Sequence, residues 1–266
     1  MPRKGNHSFA SGLNGYKLFW IFFIGCFVGV VIETLWCLVM YHKLESRSGL
    51  IYGPFNPVYG FGAVIMTVCL HQLNKKRDLW IFAGGLVLGG AFEYLCSWVQ
   101  EYLVGTISWE YSYLPFNLNG RTNLLYSFFW GLLALVWVKS LYPQMSRLIE
   151  RIPNRWGKGI TWVLVVFMAL NMGLSAMAVS RQTERHNGAP AQSGMDHFLD
   201  RHYPDELLWR VYPNMLSARQ KLGVWGEPIK QAFQPALLKK SHSQSFIKND
   251  ICLPQYLFHR AVGYIK

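Results

Sequence analysis

The stretch LVLGGAFEYLCSWVQEYLV, residues 86–104, is long and apolar enough to form a helix in lipid, yet it carries Glu93 in its interior. A bilayer core is crossed by about 20 predominantly apolar residues in helical form. An ionised carboxylate there is costly, so a glutamate inside a span marks a functional site by default. Outward from this stretch, the apolar segments that reach or approach spanning length are 18–41, 57–73, 79–104, 124–141 and 159–179. The second is short and begins among glycines and prolines, which predicts a tilted or partly re-entrant course. The first is too long for a signal peptide, and no small-residue cleavage site follows it.

Composition agrees. The 266 residues are 52% hydrophobic, 16% aromatic and 15% charged, outside the usual range of soluble domains. The expected fold class is an all-α integral membrane protein of about five transmembrane helices. The expected organisation is an N-terminal segment (1–17), a transmembrane domain (18–179) and a region of linker, short helices and basic tail (180–266). The net charge of +12 flanks apolar segments or lies in the tail, and no nucleic-acid motif accompanies it. Cys26, Cys37, Cys69 and Cys96 fall in apolar segments and Cys252 stands alone in the tail, so they read as small apolar filler. No metal set and no cofactor motif is found.

Lysine and arginine in the short loops set the orientation. Arg3, Lys4, Lys17, Lys75, Lys76, Arg77, Arg147, Arg151, Arg155 and Lys158 fall on one side, against Lys43, Arg47 and Arg121 on the other. That places the N-terminus in the cytoplasm of a bacterial cell and the region after 179 outside. The tail's twelve basic residues run against this orientation, but long segments translocate largely regardless of charge.

The first two spans resemble the next two. Gly29-x-x-x-Glu33 matches Gly89-x-x-x-Glu93, sixty residues on, and Pro54-Phe55-Asn56 matches Pro115-Phe116-Asn117, sixty-one residues on. Two spans per unit give a parallel repeat about an axis normal to the membrane. If the first and third helices are neighbours, Glu33 and Glu93 open at one level. Gly25-x-x-x-Gly29 and Gly85-x-x-x-Gly89 would then permit close helix contact.

Two loops on the outer side, RSGLIYGPFNPVYGFGA (47–63) and SWEYSYLPFNLNGRTNLL (108–125), are dense in residues that suit irregular backbone. Their tyrosines and tryptophans suit either a membrane-interface belt or an ordered cap over a cavity. The pattern comprises Glu33, Gly49, Tyr52-Gly53-Pro54, Pro57-x-Tyr59-Gly60-Phe61-Gly62, Glu93-Tyr94-Leu95, Ser97-Trp98 and Glu101. It continues through Trp109, Tyr111-Ser112 and Phe116-Asn117-Leu118-Asn119-Gly120-Arg121. This resembles the bacterial ABC-transporter permease family labelled type IV, over about 22–141, with fainter similarity to Met215 through FLDRHYPDE (198–206) and YPNM (212–215). The resemblance implies an integral membrane fold and a transporter role, with no substrate named. Three positions depart from it. Ser48 stands where the family has arginine, which weakens an ion pair assigned to Arg47. Asn56 stands in place of a common cysteine, and Glu110 in place of an aspartate.

The chain holds no Gly-x-x-x-x-Gly-Lys-Ser/Thr and no importer-type EAA loop, so it is not expected to be an enzyme hydrolysing ATP by that route. The stretch 142–158, with Pro143, Pro153 and four basic residues, is the candidate for coupling to a separate ATPase, or else a headgroup anchor. In the tail, 180–194 reads as a linker. Residues 195–215 read as two short amphipathic helices, the second opened by Pro204, and 217–266 as a basic, poorly ordered segment. His186, His197 and His202 lack metal-ligand spacing.

Glu33, Glu93 and Glu101, with Asn117, Asn119 and Arg121 above them, form the candidate substrate or ion site. Tyr52, Gly53, Pro54, Pro57, Tyr59, Trp98, Trp109 and Tyr111 shape the outer loops. Three functions fit. In the first, the chain is a transport component in the inner membrane, partnered by lipid, an ABC ATPase and a second copy of itself. In the second it is a structural or regulatory subunit whose glutamates clamp helices. In the third it is a membrane enzyme using paired carboxylates. Glu93 lies about 15 Å of helical rise from its helix's outer end. Arg121 therefore reaches it only if the loop dips inward. Otherwise Arg121 pairs with Glu101 and Glu93 takes local hydrogen bonds, which the distance favours.

Overall fold

The structure, a computed structural model, describes residues 8–42 and 44–217. Arg3, Lys4, Lys43, Cys252 and the basic segment beyond 217 lie outside the described residues.

Helix α1 (Gly15–Tyr41) begins where Asn14 Oδ1 accepts the Lys17 N–H at 2.9 Å. It ends at His42, in the left-handed region at φ 53°. Helix α2 (Pro57–Leu70) starts with Pro57, whose missing N–H costs nothing there, after the Asn56 cap. It passes into a 3-10 stretch, His71–Lys75. Helix α3 (Asp78–Val104) stops at Gly105, φ 65°. Helix α4 (Leu124–Val136) follows the cap Asn123, widens into a π segment (Trp137–Leu141) and continues as α5 (Tyr142–Glu150). Pro143 has no N–H and clashes with the preceding turn, which accounts for the widening just ahead of it. Helix α6 (Asn154–His186) is the longest. Helices α7 (Gly194–His202) and α8 (Asp205–Val211) follow, with a Ser193–Asp196 capping box and Pro204 at the second helix's start. Two small antiparallel ladders complete the description: β1 (Thr106–Ile107) with β4 (Leu216–Ser217), and β2 (Asn117–Leu118) with β3 (Thr122–Asn123).

Four helices among the described residues are long and apolar enough to cross a bilayer: Gly15–Val39, Asp78–Val104, Leu124–Glu150 and Asn154–His186. The expected five spans become four. The difference is α2, whose 14 residues rise about 21 Å against a core of about 30 Å. With the 3-10 stretch it returns the chain to the level of α3's start, where Lys139 Nζ reaches both Asn74 O and Asp78 Oδ1 at 2.9 Å. Two further differences concern connections. The stretch expected as a coupling loop is helix α5 and the start of α6. The expected linker after 179 begins later, because α6 runs on to His186.

The helices form two tight pairs, α1 with α2 and α3 with α4, and α2 also touches α3. The glycines dictate the pairing, but their partners differ from expectation. A Cβ at Gly25 would lie 3.2 Å from Ala63 Cβ and from Gly60 Cα, and one at Gly29 would strike the Tyr59 ring. A Cβ at Gly85 would lie 3.2 Å from Gly131 Cα and would strike Ala134, and one at Gly89 would strike the Trp130 ring. Gly25 and Gly29 thus admit α2 rather than α3. The repeat extends into the second helix of each pair as Tyr59-Gly60-x-x-Ala63 and Trp130-Gly131-x-x-Ala134. The two Pro-Phe-Asn triplets are not equivalent: Asn56 caps α2, whereas Asn117 sits in β2 and Asn123 caps α4.

The molecule has two ends. At the basic end, Lys17 is buried, with its ammonium on Glu150 and on Ser146 Oγ at 2.7 Å. The Phe9 N–H donates to Asn154 Oδ1 at 2.6 Å. The main core, including Ile21, Met66, Ile81, Ala134, Trp137 and Ile149, lies toward this end. At the opposite, cap end, α7 and α8 fold against α6 through Ala178, Val179, Leu199, Tyr203, Leu208 and Tyr212. The outward helix faces are apolar, with Ile32, Val87 and Leu170 exposed, as lipid contact requires.

Candidate functional site

Glu93 sits on the face of α3 that meets α4 and is 8% exposed. Its Oε1 accepts the Tyr111 hydroxyl at 2.8 Å and its Oε2 accepts the Thr122 hydroxyl at 2.9 Å. Both donors come from the cap loop. Tyr111 is held in place by stacking on Tyr126, with ring centroids 4.6 Å apart and 19° between planes. Its N–H also donates to Gly120 O at 2.8 Å. Burial, and then the neighbouring Glu93, push the Tyr111 phenol well above its usual range, so it remains a donor. Thr122 stands at the start of β3, one residue before the α4 cap.

Arg121 does not reach Glu93. Its Nη2 lies 2.7 Å from Glu101 Oε2, its Nη1 donates to Ser97 Oγ at 3.3 Å, and its guanidinium lies 5.8 Å from the Tyr94 ring centre. Distance along the helix selects the same partner. The Arg121 carbonyl accepts the Trp109 indole N–H at 2.9 Å, which fixes the hairpin. Asn117 turns this loop: its amide donates to Leu114 O at 2.7 Å and its oxygen accepts the Gly120 N–H at 2.9 Å. Asn119, at φ 53°, donates to the Tyr94 hydroxyl at 3.0 Å. Neither asparagine reaches Glu93, so both shape the cap. Trp98 stacks on Tyr102 at 5.6 Å, near the rim.

Glu33 has its own partners. The Tyr59 hydroxyl donates to its Oε2, and Arg47 Nη1 lies 3.9 Å from its Oε1. Arg47 is buried and also lies 3.4 Å from Glu45 Oε2. The one-residue slip of the arginine therefore does not cost the pair, because the loop carries Arg47 back over α1. Glu33 and Glu93 share none of these partners, and each sits in a cluster of its own helix pair. Tyr52 belongs to a third junction. Its N–H donates to Asn171 Oδ1 at 3.2 Å, its carbonyl accepts the Asn171 amide at 2.7 Å, and its hydroxyl meets that of Tyr203 at 2.9 Å. Gly53, at φ 81°, and Pro54 turn the chain toward the Asn56 cap.

The sequence reading named none of Thr122, Ser97, Asn171, Ser175 and Tyr203 as a site residue. Asn171 and Ser175 lie one turn apart on α6, inside an apolar run, and a polar pair at that spacing in a span was the available signal.

Apolar helices of spanning length, with carboxylates held by loop hydroxyls and arginines at one end, define a multi-pass membrane protein of the bilayer. The family described as "Putative ABC-transporter type IV" matches residues 20–176, more than half of the chain, and the chain belongs to it. No curated protein and no solved structure matches the chain.

Proposed function

We propose that the protein is the membrane component of an ABC-type transport complex in a bacterial cytoplasmic membrane, with its basic end and N-terminus in the cytoplasm. A separate ATPase subunit supplies ATP hydrolysis, and the chain carries out no reaction of its own. Membership of the family supports the transporter class, and the excess of Lys and Arg at the basic end supports the sidedness. Helix α5 and the start of α6, with Arg147, Arg151, Arg155 and Lys158, offer the surface for the ATPase.

The observation that carries the reading is the pairing of both Glu93 oxygens with hydroxyls of the cap. Lifting the cap exposes the carboxylate, and closing it covers the carboxylate again. Arg47 beside Glu33 and Arg121 on Glu101, both from the outer loops, repeat the device. The cap is thus a gate over polar positions that would otherwise face a solute or ion. The occupation of both Glu93 oxygens favours a second reading, a partner subunit in which the glutamates only clamp loops to helices. Affinity purification of the full chain from its native membrane tests the first: an ABC ATPase should come with it. ATP-driven flux by the reconstituted complex, lost in Glu93→Gln, separates the two readings. A stable complex with no flux of any solute leaves the clamp.

A further inference from the structure

The basic end carries a lateral groove of about 560 Å³ between the 3-10 stretch and the first three turns of α3, lined by Leu73, Lys76, Trp80, Gly84, Val87 and Leu88. It forms because the chain narrows from α2 into the tighter 3-10 stretch and because Gly84 has no side chain; a Cβ there would lie 2.8 Å from Leu70 Cδ2. The groove faces lipid, with Trp80 63% and Val87 64% exposed. From the start of α3 to Leu88 the rise is about 15 Å, the hydrocarbon depth of one leaflet. Its walls are apolar except at the mouth, where Lys76 stands.

Charge distinguishes this groove from ordinary lipid-facing surface. Lys75, Lys76 and Arg77 are exposed and make no ion pair among the described residues. The neighbouring Asp78 is engaged by Lys139 at 2.9 Å. The less exposed arginines at the cap end, Arg47, Arg121, Arg181 and Arg185, each face a carboxylate. Lys76 at the mouth of an apolar groove one leaflet deep, flanked in the chain by Lys75 and Arg77, matches one ligand chemistry, an acyl chain carrying an anionic head.

We propose that this groove binds one anionic phospholipid of the leaflet at the basic end, with an acyl chain along Trp80, Gly84 and Leu88 and the phosphate on Lys76, Lys75 and Arg77. The site does not depend on the transport reading.

Native mass spectrometry of the full-length protein in detergent, titrated with dioleoyl phosphatidylglycerol or dioleoyl phosphatidylcholine, tests it. One phosphatidylglycerol per chain should be retained in preference to phosphatidylcholine. Lys76→Gln should weaken that retention roughly fivefold, the share of one basic side chain near an anionic headgroup, and leave phosphatidylcholine unchanged. Val87→Trp, which fills the groove from its exposed side, should weaken retention of phosphatidylglycerol by a comparable factor. Both positions are exposed, and an unchanged gel-filtration profile shows that each variant folds. Equal retention of the two lipids would reduce the groove to ordinary apolar contact. Phosphatidylglycerol retention untouched by both variants would place the lipid elsewhere. Either result overturns the proposal.

Discussion

Glu93 illustrates how a carboxylate persists within a span. Two neutral hydroxyls take one oxygen each, and the phenol that donates to Oε1 is itself buried and stacked. Replacing Glu93 by leucine strands both hydroxyls without an acceptor, and a buried unsatisfied polar group costs about 1–3 kcal/mol. Glutamine keeps one carbonyl acceptor, and Thr122 can rotate its hydroxyl to accept from the amide. Thermal unfolding in detergent should therefore show Glu93→Leu clearly destabilised and Glu93→Gln close to the parent. Equal midpoints for the two variants would mean that the hydroxyls find other partners. Glu93 itself stood out in the sequence because charge inside an apolar run is rare. Thr122 did not, since a threonine in a polar loop is unremarkable until the hairpin brings it back over α3, 29 residues away. Arg47 was underrated for a related reason: position in a loop does not fix where an arginine's long side chain ends.

At the scale of elements, the glycine spacing was legible but its partner was not. A small-residue stripe shows that a backbone comes close and leaves open which one. Gly29 and Gly89 offer a clear test, because an added methyl would strike the Tyr59 ring or the Trp130 side chain close to its attachment to the backbone. Gly29→Ala and Gly89→Ala should each cost about 1–3 kcal/mol by forcing the paired helices apart. Gly159 and Gly173 on α6 have nothing within 4 Å of an added Cβ. Their alanine variants should be neutral, or stabilising by up to about 1 kcal/mol. Unfolding midpoints of the four variants check the contrast, and a loss at Gly173 equal to that at Gly29 would defeat the pairing argument. Helix lengths were read less well. Apolar content continues past Leu70, so the sequence extends the second span, while the backbone there tightens into a 3-10 stretch. The sequence ends the fourth span at 141, but the π segment accommodates Pro143 and the helix continues. The sequence repeat was visible at Glu33 and Glu93, whereas the Pro-Phe-Asn similarity paired an N-cap with a strand.

Across the whole molecule, charge is sorted by end. At the cap end Arg47, Arg121, Arg181 and Arg185 are paired with carboxylates. Arg181 donates to Asp200 at 2.9 and 3.0 Å, and Arg185 joins Asp200 at 2.7 Å and also pairs with Asp205, which fastens α7 and α8 to α6. The Arg181 hydrogen bonds, followed by Arg185, hold the Asp200 carboxyl down to about 2. A carboxylate whose folded value lies below its unfolded value, about 3.9, contributes stability that is complete above the unfolded value. That contribution is lost as pH falls through the folded one. The docking of α7 and α8 should therefore loosen between about pH 4 and pH 2, read as a change in Trp209 fluorescence, since its ring lies 6.1 Å from His186. Asp200→Asn should remove most of that acid step, and a step unchanged in the variant would assign it to another carboxylate.

The same sorting fixes a topology that can be measured. Tyr52, Val104 and Ile51 meet the α7–α8 unit and α6's far end, so the tail helices share the end of the Asn117–Asn123 hairpin. Asn74, Lys139 and Asp78 meet at the other end. An odd number of crossings must therefore separate Lys76 from both Leu118 and Phe198, whichever side is the cytoplasm. Single cysteines at these three exposed positions, introduced into a background with the native cysteines replaced, should react with an impermeant maleimide in two groups. Lys76→Cys forms one group, and Leu118→Cys with Phe198→Cys forms the other. Under the cytoplasmic assignment of the basic end, intact cells should label the second group and spare the first. The reverse labelling would overturn the sidedness and keep the fold, because the grouping itself rests on contacts within the bundle. Labelling of Phe198→Cys together with Lys76→Cys would break the fold argument, since it would separate α7 from the Tyr52 junction that holds it.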